Sequence, residues 1–117
     1  MSASNADVIA SAPQPPHITT SLVEVTDSLP RKPPCRVFLK NEHEQPSGSF
    51  KIRGLGYQVW SGLQMARSNG AKDIRVIISS GGNAGLAAAY AAQYYNIACT
   101  VVLPTVSKPE IVIQSKP

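Results

Sequence analysis

Two spacings of apolar residues organise the chain. From Ser21 to Pro30, "SLVEVTDSLP" alternates apolar and polar positions, and "RKPP" (31–34) then breaks the run. "RVFLKNE" (Arg36 to Glu42) predicts a short strand, bounded by prolines before and polar residues after. From about Phe50 to Asn69 the spacing lengthens. Ile52, Leu55, Val59, Leu63 and Ala66 recur at helical intervals, and Asn69-Gly70 supplies a C-terminal stop. Gly54, Gly56 and Gly62 each weaken that helix by up to about 1 kcal/mol relative to alanine, which points to close packing as their use.

The next stretch combines both spacings. "IRVIISS" (Ile74 to Ser80) is a short β-branched run of the kind found in buried parallel strands. "GGNAG" turns the chain, alanine gives "LAAAYAAQYYN" a strong helical bias, and "IACTVVLP" (Ile97 to Pro104) reads as a second buried strand. Strand, turn, helix and strand make a βαβ unit, so the expected class is α/β with a parallel sheet. "SKPE" (Ser107 to Glu110) then reads as a capping box with proline in the first turn. Only seven residues follow Glu110, too few for a stable isolated helix.

Composition narrows the class without naming a chemistry. Of 117 residues, 43% are hydrophobic and 15% charged, which is a globular balance. The first 16 residues, rich in Ala, Ser and Pro, are read as a disordered tail, with neither a secretory signal nor the arginines of a mitochondrial presequence. No run reaches the roughly 18 apolar residues of a membrane span. The net charge is +4, but its lysines and arginines are scattered and no aromatic platform accompanies them. No nucleic-acid or membrane partner is expected, and a small anion is the better candidate. Cys35 and Cys99 lie far apart, show no metal-type spacing and fit a reducing, cytoplasmic setting, so no metal site is read.

Two loops have the composition for chemistry. "SSGGNAG" (Ser79 to Gly85) follows a strand and opens a helix, where backbone N–H groups and the positive helix end converge. Carboxylate or phosphate suits such a place, with Ser80 and Asn83 adding side-chain donors. Taken alone, it is equally a tight turn capped by Asn83. In "QPSGSFKIRG" (Gln45 to Gly54), Pro46 and Gly48 favour a turn that leaves Lys51 near a helix start. The helix dipole and partial burial would there lower its pKa from about 10.4 and favour the nucleophilic amine of a Schiff-base lysine. An isolated lysine in this position is otherwise a solvated surface charge. Phe50 is by the same logic a core residue, and His17, His43 and Trp60 are structural or exposed.

Together, "QPSGSFKIRG" and "SSGGNAGLAAAYAA" closely resemble the pyridoxal-phosphate serine/threonine dehydratases of the tryptophan-synthase-β-like group, fold type II. Within that group they look most like the eukaryotic L-serine dehydratases, or L-serine ammonia-lyases. The resemblance runs from about Thr19 to Glu110 and covers the first third or so of a family member. It implies the N-terminal portion and small domain of a fold type II enzyme, with residues 17–117 forming a partial dehydratase domain. It further implies that Lys51 forms the Schiff base with pyridoxal 5'-phosphate and removes the substrate α-proton. Phe50 would pack on the pyridine ring, and Asn83 would hydrogen-bond the cofactor 3′-oxygen. Ser80, Gly81, Gly82, Asn83 and Ala84 would hold the substrate carboxylate.

The implied reaction takes L-serine to pyruvate and ammonia, and L-threonine to 2-oxobutanoate. The family's later glycine-rich phosphate loop and the polar residue at the pyridine nitrogen are not among these 117 residues, and "IVIQSKP" leaves the family pattern. The expectation is therefore a truncated chain with little or no turnover by itself. A homodimer is the partner to consider for a full-length parent. Threonine dehydratase and serine racemase share much of the same segment. A non-catalytic interaction or regulatory fragment and a free-standing anion-binding α/β domain are the alternatives.

Overall fold

A computed structural model describes residues 13–105. The expected capping box at Ser107–Glu110 and the helix after it lie outside that range. Among the described residues, two strand pairs flank the first of two α-helices in chain order. β1 (Leu22–Glu24) and β2 (Phe38–Lys40) pair antiparallel, with Val23 opposite Leu39. Helix α1 (Lys51–Ser68) follows, then β3 (Arg75–Ser79), helix α2 (Asn83–Tyr94) and β4 (Ala98–Val102). β3 and β4 pair in parallel, Ile77 opposite Thr100, with α2 as the crossover between them. This is the βαβ unit that the β-branched and alanine runs predict, and the class is α/β.

The helices end as their sequences require. At the end of α1 the Ala71 N–H bonds the Ala66 carbonyl and the Gly70 N–H bonds that of Arg67, with Gly70 at φ 80°. Asn96, at φ 56°, does the same for α2 through Ile97 to Ala92 and Asn96 to Gln93. Both are Schellman motifs, closed by the two residue types that tolerate the left-handed region. The buried core lies between the helices: Ile52, Val59 and Leu63 on α1 and Ala87, Ala88, Ala91 and Ala92 on α2. Alanines let the second helix approach the first and the sheet closely.

Several expectations shift. The strand expected over Arg36–Glu42 contracts to Phe38–Lys40, because Glu42–Glu44 turns into a short 3-10 helix. The strands of the βαβ unit are half-buried on one side and exposed on the other. Arg75, Ile77 and Ser79 on β3, and Ala98, Thr100 and Val102 on β4, are exposed, and Ile77 is 70% accessible. Among the described residues α2 packs on one face of the two-stranded sheet, so alternation replaces the continuous burial of a strand covered on both faces. A cleft of about 360 Å³ between α1 and β3 also keeps that helix off Val76 and Ile78. Of the α1 glycines, Gly54 and Gly62 face open space, and only Gly56 serves a close approach, with a Cβ there meeting Pro16 Cγ at 2.7 Å. Pro16 is buried, and the Tyr94 hydroxyl donates to the Gln14 carbonyl at 2.9 Å, so residues assigned to the tail make contacts.

Candidate active site

The lysine loop is built from a turn and a helix start. Gly48 adopts φ 81°, which its missing Cβ permits, and its N–H bonds the Gln45 carbonyl at 2.8 Å. The chain then enters α1 with Lys51 as its first residue and Phe50 just ahead of it. The Lys51 N–H meets Ser49 Oγ at 3.4 Å, and Ser49 is buried beneath the turn. The position expected for Lys51 is therefore found. The partial burial is not: Lys51 is exposed, because no described residue covers the outer side of the turn. Its Nζ lies 5.3 Å from the centroid of the Phe50 ring. Phe50 is 58% accessible, so it is not the core residue that its isolated reading predicts.

The second loop joins β3 to α2. Gly82 N–H donates to Ser80 Oγ at 3.2 Å, shaping the bend, and Asn83 is the first helical residue rather than the cap. Among the described residues no side chain caps α2, and the Asn83 amide makes no side-chain hydrogen bond. The first N–H groups of a helix have no intrahelical acceptor, so this end offers donors to an anion. Gly85 explains how the helix start sits so close to the strand end. A Cβ there would meet the Ser80 carbonyl oxygen at 2.7 Å and Val101 Cγ1 at 3.1 Å.

The two loops come together along one cleft of about 1010 Å³. Pro46, Ser47 and Gly48 form one wall, while Asn83, Tyr90 and Val101 contribute to the other side. Lys51, Phe50, Ser80, Gly81, Gly82 and Ala84 are not among its lining residues. Ser47 is the residue that sequence reasoning passed over. Its Oγ is buried without a hydrogen-bond partner among the described residues, while the residue lines the cleft. A hydroxyl left so costs free energy unless something fills the site, and the only signal in the sequence was a small polar residue between Pro46 and Gly48. Cys99 lines the same cleft, and burial raises its thiol pKa. His43 is exposed, whereas His17 Nδ1 and Trp60 Nε1 are buried and unpartnered among the described residues.

The profile of the family described as "Pyridoxal-phosphate dependent enzyme" matches residues 14–116. The chain belongs to that family. It is 46% identical over 84 residues to the catabolic L-serine/threonine dehydratase of Saccharomyces cerevisiae, a match covering 72% of this chain and 23% of that protein. To the serine dehydratase-like protein of Homo sapiens it is 43% identical over 99 residues, covering 85% of this chain and 28% of the relative. The chain thus spans about a quarter of the length of these relatives. Among solved structures, the O-acetylserine dependent cystathionine beta-synthase from Helicobacter pylori superposes on 82% of this chain and 31% of its own, with a TM-score of 0.64 and 24% identity. That likeness concerns the fold, and it agrees with the fold type II architecture. Within the described residues, no helix of this pyridoxal-phosphate dependent family member is long and apolar enough to cross a membrane.

Proposed function

We propose that this chain carries the lysine and carboxylate-binding part of an L-serine dehydratase (L-serine ammonia-lyase). The reaction is conversion of L-serine to pyruvate and ammonia, with L-threonine giving 2-oxobutanoate, in the cytoplasm. The observation that carries this reading is the convergence of the lysine turn and the Asn83 helix start on one cleft. The relatives' names supply the amino-acid substrate.

The residues fit pyridoxal 5'-phosphate. Among the described residues Ser47 brings a buried hydroxyl and Asn83 an amide, both without a side-chain hydrogen-bond partner, Phe50 an open ring and Lys51 an accessible amine beside it. When bound, the cofactor supplies the electron sink for the elimination. In this reading Lys51 Nζ holds the cofactor and carries the substrate α-proton, and Phe50 packs against the pyridine ring. Asn83 orients the ring through its 3′-oxygen. Ser80, Gly81, Gly82 and Ala84, with Asn83, orient the substrate carboxylate at the start of α2, where the helix dipole favours negative charge.

Adding pyridoxal phosphate, reducing with borohydride and mapping the modified peptide tests this directly. The expected product carries the label on Lys51, and Lys51→Ala loses both the label and the visible absorbance of bound cofactor. A label distributed evenly over the lysines overturns the reading. The exposed sheet face around Ile77 favours a second reading, a non-catalytic piece that packs against a full-length relative. A stable complex with such a relative, without any Lys51 label, would select it.

A further inference from the structure

The segment that carries Lys51 is bracketed by two side chains that end on one carboxylate. Gln45 Nε2 donates to Glu42 Oε2 at 3.1 Å, and Arg53 Nε donates to the same oxygen at 3.0 Å. Arg53 Nη2 reaches the other oxygen, Oε1, at 2.9 Å, where the Thr20 hydroxyl also donates at 2.7 Å. Gln45 is only 3% accessible and pairs with both backbone groups of Ile18. It accepts from the Ile18 N–H and donates to the Ile18 carbonyl, each at 2.9 Å. The start of the lysine turn and the first turn of α1 are thereby tied to each other and to residues 18–20.

Packing of α1 does not explain this arrangement, because the helix is already anchored by Ile52, Val59 and Leu63. A charged pair taken partly out of water is a costly way to add stability, and a bidentate guanidinium–carboxylate pair chiefly fixes geometry. Arg53 holds the Glu42 carboxyl at about 2, with Thr20 assisting, so the carboxylate stays ionised through the neutral range. We propose that Glu42, Gln45 and Arg53 form a latch that positions the Lys51 amine by closing both ends of its turn onto a single carboxylate. They are positioning residues, and the proposal rests on reading Lys51 as the cofactor lysine.

The test uses the full 117-residue chain, pyridoxal phosphate and borohydride, with Lys72 as an internal reference and hydrogen exchange over Leu55–Ser68 to monitor α1. Loss of a charge-assisted hydrogen bond predicts that Arg53→Ala and Glu42→Gln each lower the preference for Lys51 over Lys72 by about tenfold, with α1 protection intact. Arg53→Lys, which keeps the charge without the fork, restores part of it. Undiminished preference in both loss variants overturns the latch while leaving the lysine reading standing. Loss of α1 protection in both variants makes the contact a folding element and likewise overturns it. No preference for Lys51 in the unaltered chain overturns the lysine reading itself, and the latch with it.

Discussion

Between residues 18 and 53 the organising contacts are polar: Glu24 with Arg36, Glu44 with Ser21, and Glu42 with Arg53, Thr20 and Gln45. Between residues 52 and 92 the buried hydrophobic side chains are Ile52, Val59, Leu63 and four alanines. The strands of the first region, β1 and β2, are exposed along their whole length, with Arg36 lying 5.0 Å over the Phe38 ring and bidentate to Glu24. In the second region the helices exclude water from one another. Polar contacts fix direction and distance, while apolar burial supplies most of the free energy. The lysine turn sits where the two regimes meet, with Ile52 buried on one side of Lys51 and the Glu42 carboxylate holding both ends.

If that contrast is right, the largest effect comes from volume lost in the helical pair. Ile52 is fully buried, so Ile52→Ala is expected to cost about 2–5 kcal/mol, read as a drop in the denaturation midpoint. An unchanged midpoint would mean that α1 is not anchored by its apolar face. Gly85→Ala comes next. Its new methyl would meet a backbone carbonyl at 2.7 Å, and overpacking of that kind costs about 1–3 kcal/mol. Alanine's better helix propensity returns at most about 1 kcal/mol, so the net effect is destabilising. The same change should weaken the carboxylate binding proposed for the start of α2, measurable by titration with a serine analogue.

The smallest global effect, and the most local, is acidification. The Arg53 guanidinium, then the Thr20 hydroxyl, lower the Glu42 carboxyl from 4.5 to about 2. Arg36 lowers that of Glu24, and the Ser21 hydroxyl that of Glu44. Groups with a depressed folded pKa contribute above the unfolded value and lose that contribution as pH falls through the folded one. Amide protection of residues 18–24 should therefore fall as pH drops from about 4.5 towards about 2, ahead of protection in Ala87–Ala92. Simultaneous loss in both regions would erase the distinction between them.

Most of the second region was legible along the chain. β-branched residues from Val76 to Ile78, glycines at 81, 82 and 85 and alanines from Ala87 to Ala92 each favour locally what the structure adopts, and local preferences that agree are readable without tertiary information. The Asn69-Gly70 stop was equally clear, and α1 starts within one residue of its expected position. The polar region was less legible. Glu42 and Arg53 are separated by a turn, and Gln45 reaches back to Ile18, so no short spacing announces either contact. The roles of the glycines were also hidden, since Gly54 and Gly56 look alike in sequence and differ only in what lies opposite them.

The sequence by itself determined the βαβ order, the two loops and Lys51 at a helix start, because propensity, hydrophobic period and turn chemistry act over a few neighbouring residues. Tertiary structure alone decided that Lys51 is exposed, that Ser47 buries a hydroxyl without a partner among the described residues beside the cleft, and that one carboxylate closes both ends of the lysine turn. Those outcomes depend on which distant groups arrive at the same place, and burial and hydrogen-bond partnership exist only once they have.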